Sequence, residues 1–214
     1  MQQGSPMDHG FAQISTTFTT GQYSDLTIRC KNKIFNVHKV IVCSQCQDFA
    51  DLCLANVEYV SDEIDLPNDD PLAIQALLEF FYSMTYTFDM SSPAASFLHI
   101  SVFAVATKYS IGELCLLATT NFQSLASKIW NSPSFVESVR FVYTSTPAHH
   151  RALRDIVLDI VTRNIDTILA KDGQFSQVMR DTGDFDVELV NSLARTNNEL
   201  RSRLQSKVRC LAAL

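Results

Sequence analysis

The feature that most constrains this chain is a strand, a tight turn and a second strand over residues 26–37, followed at once by an apolar helix. Residues 26–30 alternate between apolar and polar side chains, which is the period of a half-buried strand. Lys31 and Asn32 suit a two-residue turn, because asparagine tolerates a positive φ. Phe35 and Val37 continue the alternation as the partner strand. This order predicts an antiparallel hairpin that packs against helices.

Further signals predict a mixture of helices and short strands up to about residue 130. Apolar positions across residues 40–53 predict one helix, and residues 64–67 predict a short strand that ends at a proline. Asp70 and Pro71 predict a helix start, with Asp as the N-cap and Pro at the first helical position. Residues 86–88 predict another short strand.

Beyond this region the patterns are helical. Ser132 and Pro133 form a clear break, where we place the domain boundary. Thr146 and Pro147 predict a new helix start, and the last helix is predicted over residues 185–211.

Composition excludes several classes of protein. The 214 residues carry a net charge of −6, which argues against a general nucleic-acid binder, since that function needs a basic face. No apolar run approaches the roughly 20 residues that span a bilayer, so no membrane association is expected. The six cysteines lie within apolar patterns and are interpreted as reduced, buried thiols of a cytoplasmic or nuclear protein.

The candidates for chemistry are weak. Cys43 and Cys46 form a C-x-x-C motif, which in a helix would place both sulfurs on one face. A thiol redox enzyme is therefore an alternative hypothesis, although this motif follows a hairpin and not a parallel α/β strand. The adjacent His149 and His150 point about 100° apart on a helix and would chelate poorly. We expect no catalytic residue, cofactor or metal site.

Five local patterns in the first part of the chain resemble the BTB/POZ domain family, and the resemblance covers residues 21 to 125. The patterns, in chain order, are Ser24-Asp25-Leu26-x-Ile28, Val37-His38-Lys39, Ile64-Asp65-Leu66-Pro67, Leu77-Leu78-x-x-Phe81-Tyr82 and Lys108-Tyr109-x-Ile111-x-x-Leu114. Each is weak alone, but together at these separations they are fairly specific. The resemblance implies a non-catalytic protein-binding platform.

The same resemblance implies the fold and its division. It implies an α+β fold, a short β-sheet flanked by α-helices, followed by an all-α C-terminal extension. We expect a flexible tail or first helix over 1–20, the BTB/POZ domain over 21–131 and the extension over 132–214. The extension is similar to that of fungal BTB proteins in two stretches. These are Val139-Arg140-x-Val142-Tyr143 and Arg151-x-Leu153-Arg154-Asp155.

The resemblance also implies a homodimer. In the family, an acid and a base matching Asp25 and Lys39 line a charged pocket at the dimer interface, whereas an ordinary pair of solvated charges is the alternative interpretation. Phe11, Ile14 and Phe18 recur near a helical spacing and are further candidates for that interface.

A common role in the family is to recruit substrates to a cullin-based ubiquitin ligase through a hydrophobic–x–Glu motif. The matching residues are Asn56, Val57 and Glu58, and Asn56 replaces the large apolar anchor. Losing such an anchor costs roughly 1.5–3 kcal/mol of binding free energy. A cullin scaffold is thus a possible partner, and a transcriptional co-regulator recruited through another protein is the alternative.

The last helix carries an apolar seam with steps of three and four residues. Its members are Val190, Leu193, Asn197, Leu200, Leu204 and Leu211, with Lys207 between the last two. The seam is typical of a coiled coil of about three heptads, in which Asn197 would set the register. A helix docked on its own domain is the alternative.

Overall fold

A computed structural model of the protein describes residues 14–55, 62–92, 94–170 and 174–212. The chain divides into two compact units, Met1–Phe122 and Gln123–Leu214. A small sheet flanked by helices, followed by a helical region, is the expected fold class, which is confirmed. The elements of the first part are α1 (14–20), β1 (Leu26–Cys30), β2 (Lys33–Val37), α2 (Lys39–Gln45), α3 (Gln47–Ala55), β3 (Glu63–Asp65), α4 (Pro71–Ser83), α5 (Ala95–Lys108) and α6 (Gly112–Ile129).

The sheet contains three described strands in the order β2-β1-β3. β1 pairs antiparallel with β2 and parallel with β3, so the sheet is mixed. Cys30 lies opposite Lys33, which confirms the two-residue turn. The positive φ of 51° belongs to Lys31, however, and not to Asn32 as expected. A positive φ at the first central position alone is the pattern of a type II′ hairpin turn.

The apolar positions of the hairpin and of α4 form the core of the first unit, as their spacing predicts. The expected core residues are all buried, namely Leu26, Ile28, Phe35, Val37, Leu77 and Phe81. Phe49 packs between the rings of Phe81 and Tyr109, with ring centroids 6.4 and 4.9 Å away. Asp70 accepts a hydrogen bond from the amide of Leu72 at 2.8 Å, so the expected cap of α4 is confirmed.

The single helix expected over residues 40–53 is wrong. Cys46 has extended backbone (φ −142°, ψ 113°) and ends α2, and α3 begins at the next residue. The interruption leaves Val42, Cys46 and Phe49 all buried. A pattern of apolar positions does not reveal a break of one residue when the residues on both sides of the break are buried on the same face.

The strand expected over residues 86–88 is also wrong, because this segment pairs with no described strand. Side chains hold it instead. The amide and hydroxyl of Thr87 both donate to a Glu79 carboxylate oxygen at 2.8 Å. The hydroxyl of Tyr86 lies 2.8 Å from Nδ1 of the buried His99.

In the second part of the chain, every described secondary-structure element is a helix. At the break predicted at Ser132 and Pro133, Ser132 accepts from the amide of Phe135 and caps the next helix. The helix start expected at Thr146 and Pro147 is wrong, because Thr146 closes the preceding helix and the next begins at Arg151. The elements are α7 (Pro133–Ser145), α8 (Arg151–Arg163), α9 (Ile165–Ala170), α10 (Gln174–Asp181) and α11 (Gly183–Ala212).

A buried charge organises the core of this second unit. Arg154 is only 3% exposed, and its guanidinium lies over the ring of Tyr143 at 4.4 Å. It donates to Glu188 at 3.2 Å and to the Thr146 carbonyl at 3.3 Å. Desolvation acts to raise the pKa of Glu188, but the hydrogen bonds from Tyr143 and Arg151 and the nearby cations together lower it. The network therefore fixes the start of α11 against α7 and α8.

Candidate protein-interaction surface

The first helix ends at a glycine. Gly21 has a φ of 65°, and its amide donates to the Thr17 carbonyl at 2.9 Å, so it closes α1 in the left-handed conformation. Of the expected interface residues, Ile14 is 40% exposed and Phe18 lies on the same helix. Phe11 lies outside the described residues. The alternative of a first helix, rather than a tail, therefore describes residues 14–20.

Tyr82 joins three elements at one point, which we call the Tyr82 junction. The ring of Phe18 stacks on that of Tyr82 with a centroid distance of 5.0 Å, and Ser15 of α1 donates to the Tyr82 carbonyl at 3.1 Å. The hydroxyl of Tyr82 accepts from the amide of His38 at 2.9 Å and lies 2.7 Å from His38 Nδ1. The Nε2 atom of His38 lies 2.8 Å from the Gln22 carbonyl. The junction therefore ties α1 and the following turn to the start of α2.

The hydrogen bonds at the junction assign its protons. A carbonyl oxygen only accepts, so Nε2 of His38 carries the hydrogen that reaches Gln22. In the neutral ring Nδ1 is then an acceptor, and the Tyr82 hydroxyl donates to it. Burial raises the pKa of Tyr82 to about 12, although the bond from the His38 amide opposes the shift. The phenol therefore stays protonated and acts as a structural link.

Asp25 and Lys39 meet beside this junction, but not as a simple ion pair. The carboxylate of Asp25, the residue before β1, accepts from the backbone amide of Lys39 at 2.7 Å and so caps the start of α2. The ammonium of Lys39 bonds to Asp62 instead. That hydrogen bond, against a smaller desolvation cost, raises the pKa of Lys39.

These charges adjoin exposed apolar side chains. Tyr23 is 82% exposed and Val40 is 74% exposed, and each is close in sequence to Asp25 or Lys39. We call Tyr23, Asp25, Lys39 and Val40 the α2 surface. In this surface the two charged side chains are paired and the two apolar side chains face solvent. The α2 surface therefore offers both apolar area and fixed charges to a partner protein, which is the composition of a protein contact.

The C-x-x-C motif is not a reactive pair in this structure. Cys46 ends α2, so the expectation that both sulfurs share one helix face is wrong. Cys43 lies 3.5 Å, sulfur to sulfur, from Cys53 of α3 instead. Burial, followed by the bond with Cys53, raises the pKa of Cys43 to about 12, which opposes formation of a thiolate near neutral pH.

Acidic side chains near β3 serve structural contacts. Asp69 is buried and accepts from Lys108 at 2.8 and 2.7 Å and from Tyr109 at 2.9 Å. Glu63 pairs with Arg29 at 2.8 Å. Within the described ranges, no group of three or more His, Cys, Asp or Glu side chains could hold a metal ion.

The remaining predicted residues lie elsewhere. Asn56, Val57 and Glu58 fall outside the described residues, so the cullin contact stays a prediction. In α11, Val190, Leu200 and Leu204 are exposed by 61%, 54% and 62%, Leu193 is half-buried and Asn197 is exposed. The side chain of Leu211 is outside the described part of the chain.

Sequence reasoning missed Tyr82 as the centre of the site. It lies 44 residues after His38, and its position in the Phe81-Tyr82 pattern indicated only a core residue. The one available signal was the hydroxyl, since a buried tyrosine needs a hydrogen-bond partner.

Comparison with known proteins identifies the family. The BTB/POZ domain family matches residues 14–126, more than half of the chain, and the protein belongs to it. BTB domains are protein-interaction modules. Among solved structures, the BTB domain of zebrafish PATZ1 is similar at 12% identity, with a TM-score of 0.41 over 58% of this chain and 99% of that one. The BTB domain of human gigaxonin is similar at 13% identity and a TM-score of 0.41, over 56% of this chain and 95% of that one.

Two further findings accompany these matches. No curated protein matches the chain in sequence. Among the described helices, none combines the length and the apolar character that crossing a membrane requires.

Proposed function

We propose that this protein is a non-catalytic interaction module whose BTB/POZ domain self-associates into a homodimer through the α2 surface and α1. The observation that carries the proposal is the arrangement around Lys39. Two charged groups are fixed at the start of α2, and two strongly exposed apolar side chains stand beside them.

The energetics favour burial of this surface against another protein chain. Val40 and Tyr23 are exposed by 74% and 82%, so a partner would remove most of their apolar area from water. A stable interface buries about 1,200–2,000 Å² in total, and α1 with its exposed Ile14 extends the area available. The charges of Asp25 and Lys39 already have partners, so a partner chain would not have to satisfy them alone.

The two parts of the chain would have different roles. Residues 21–131 would serve association, and the helical extension over 132–214 would present further binding surface. The reducing cytoplasm or nucleus suits the six free cysteines. Recruitment to a cullin scaffold or to a transcription complex stays a prediction.

The test compares the molar mass of variants by size-exclusion chromatography with light scattering. Asp25→Asn keeps an oxygen that can accept from the Lys39 amide while it removes the charge, and Lys39→Ala removes the ammonium. Val40→Asp places a charge in the apolar area. Each should shift the dimer towards the monomer, by about tenfold or more in dissociation constant for Val40→Asp.

Leu116→Asp is the matched control, since Leu116 is also strongly exposed (69%) but lies on α6. It should leave the mass unchanged. The proposal is wrong if the three variants of the α2 surface all keep the parent mass at concentrations where the parent is a dimer. It is also wrong if Leu116→Asp alone dissociates the dimer.

A further inference from the structure

The described contacts of the last helix lie at its beginning. Phe185 and Leu189 of α11 are buried, and the hydroxyl of Ser192 lies 3.1 Å from that of Thr162 on α8. Every described side chain from residue 194 to residue 210 is exposed. The alternative of a helix docked along its length on its own domain is therefore wrong for this second half, which we call the free half of α11.

The free half carries a continuous apolar stripe. Leu200, Leu204 and Val208 recur every four residues and are 54%, 62% and 63% exposed. At about 100° per residue, Asn197 falls on the same side of the helix. A stripe of this kind is the docking face of an amphipathic helix.

The stripe is flanked by positive charge. Residues 195–209 hold five cations, Arg195, Arg201, Arg203, Lys207 and Arg209, against the single anion Glu199. With about 100° per residue, Arg201 borders one side of the stripe while Arg203 and Lys207 border the other.

None of these five cations forms an ion pair with a carboxylate of the described residues. The arginines on α7 and α8 behave differently. Arg140 pairs with Asp181 at 3.2 Å, Arg151 with Glu188 at 2.5 Å and Arg163 with Asp159 at 2.8 Å. The arginines of α7 and α8 are thus matched by carboxylates, whereas no carboxylate of the described residues pairs with the cations beside the exposed stripe.

Intrinsic propensity gives the free half little stability of its own. Most helical stability in proteins comes from packing of an amphipathic face, which the exposed side chains of this segment do not provide, and the segment includes the weak helix formers Asn197, Asn198, Ser202 and Ser206. A partner that covers the stripe would supply the missing stabilisation.

We propose that the free half of α11 is the docking site for an acidic amphipathic helix of another protein, which would pair with it as a two-stranded coiled coil. Carboxylates beside the apolar stripe of the partner would reach Arg201, Arg203 and Lys207. A second copy of this helix fits less well, because it would bring the flanking cations Arg201, Arg203 and Lys207 of one helix beside those of the other. The inference concerns the second unit and does not rest on self-association of the BTB/POZ domain.

The test uses the full chain and two synthetic peptide probes of about three heptads. Both carry leucine at the a and d positions; one has glutamate at e and g, and the other has lysine. Fluorescence anisotropy should show the glutamate peptide binding at least about tenfold more tightly than the lysine peptide, with an affinity that falls as salt rises. Helical circular dichroism should increase on mixing.

Paired variants locate the site. Leu200→Asp with Leu204→Asp should abolish binding of the glutamate peptide. Leu169→Asp, an equally exposed leucine (58%) on α9, should leave it intact. Equal affinity for both peptides, or binding that survives the Leu200 and Leu204 changes, overturns the proposal. Binding of a duplex DNA probe to the free half of α11, without binding of the glutamate peptide, also overturns the proposal. A parent mass that drops only when Leu200 and Leu204 are changed overturns it as well, because the helix would then pair with a second copy of itself.

Discussion

Replacing Tyr82 by phenylalanine removes a single oxygen atom from the Tyr82 junction and tests whether that atom positions α2. The change deletes the bonds to the His38 amide at 2.9 Å and to Nδ1 at 2.7 Å. The ring and its stacking on Phe18 at 5.0 Å remain. Each lost bond is worth about 1 kcal/mol, and the amide left without a partner adds to the cost, so we expect a loss of about 2–3 kcal/mol in the free energy of unfolding.

The assay combines urea unfolding with hydrogen exchange resolved to short peptides. Stability should fall by the stated amount, and amide exchange across the first turn of α2, including Lys39, should accelerate. The dimer should also weaken, because the α2 surface is no longer held in place.

Tyr86→Phe is the matched control. It deletes the hydroxyl bonded to buried His99 at 2.8 Å, so it also costs stability. It should leave exchange in α2 and the dimer affinity unchanged. The reasoning fails if Tyr82→Phe loses stability without faster exchange in α2, or if Tyr86→Phe weakens the dimer equally.

Three further outcomes are expected. Glu188→Ala removes the closest carboxylate from Arg154, which is 3% exposed. The free energy of unfolding of the second unit should fall by about 3 kcal/mol in thermal unfolding. A loss under about 1 kcal/mol would show that the buried charge is stabilised otherwise. Burial lowers the pKa of His99 to about 4, so the unfolded chain binds an extra proton as the pH falls from about 6.5 to 4. Stability should fall by about 3 kcal/mol across that window relative to His99→Gln, and parallel pH profiles would contradict the assignment. Oxidation by diamide should join Cys43 to Cys53 in peptide mapping; a bond between Cys43 and Cys46 would show that the sulfurs pair as the motif suggested.

Local chemistry made much of the fold predictable. The alternation of apolar and polar residues over 26–37 is enough to predict the hairpin. The caps at Asp70 and Ser132 mark helix starts, and each cap depends on a few neighbouring atoms. Such signals lie within a few residues of the structure they specify, so a single sequence carries them.

The errors arose where distant groups decide the conformation. The break at Cys46 serves a core built from several elements, and residues 86–88 are held by Glu79 and not by a strand. Thr146 bonds back into α7 with both its amide and its hydroxyl, which delays α8 to Arg151. None of these contacts has a periodic signature.

The candidate site shows the same limit. The resemblance to the family singled out Asp25 and Lys39, and the two are adjacent in the structure through a backbone bond. The ammonium of Lys39 binds Asp62, which lies 23 residues further along the chain. Tyr82 lies 44 residues after His38, to which it is hydrogen-bonded. Pairing over such separations follows from the packed sheet and helices, which a reading of one sequence does not contain.

Sedimentation equilibrium of the full chain over a wide concentration range tests self-association most directly. The account predicts a mass of twice the 24.0 kDa of one chain at high concentration, and dissociation on dilution that shifts to higher concentration in Asp25→Asn and Lys39→Ala. A mass of one chain at every concentration would contradict it.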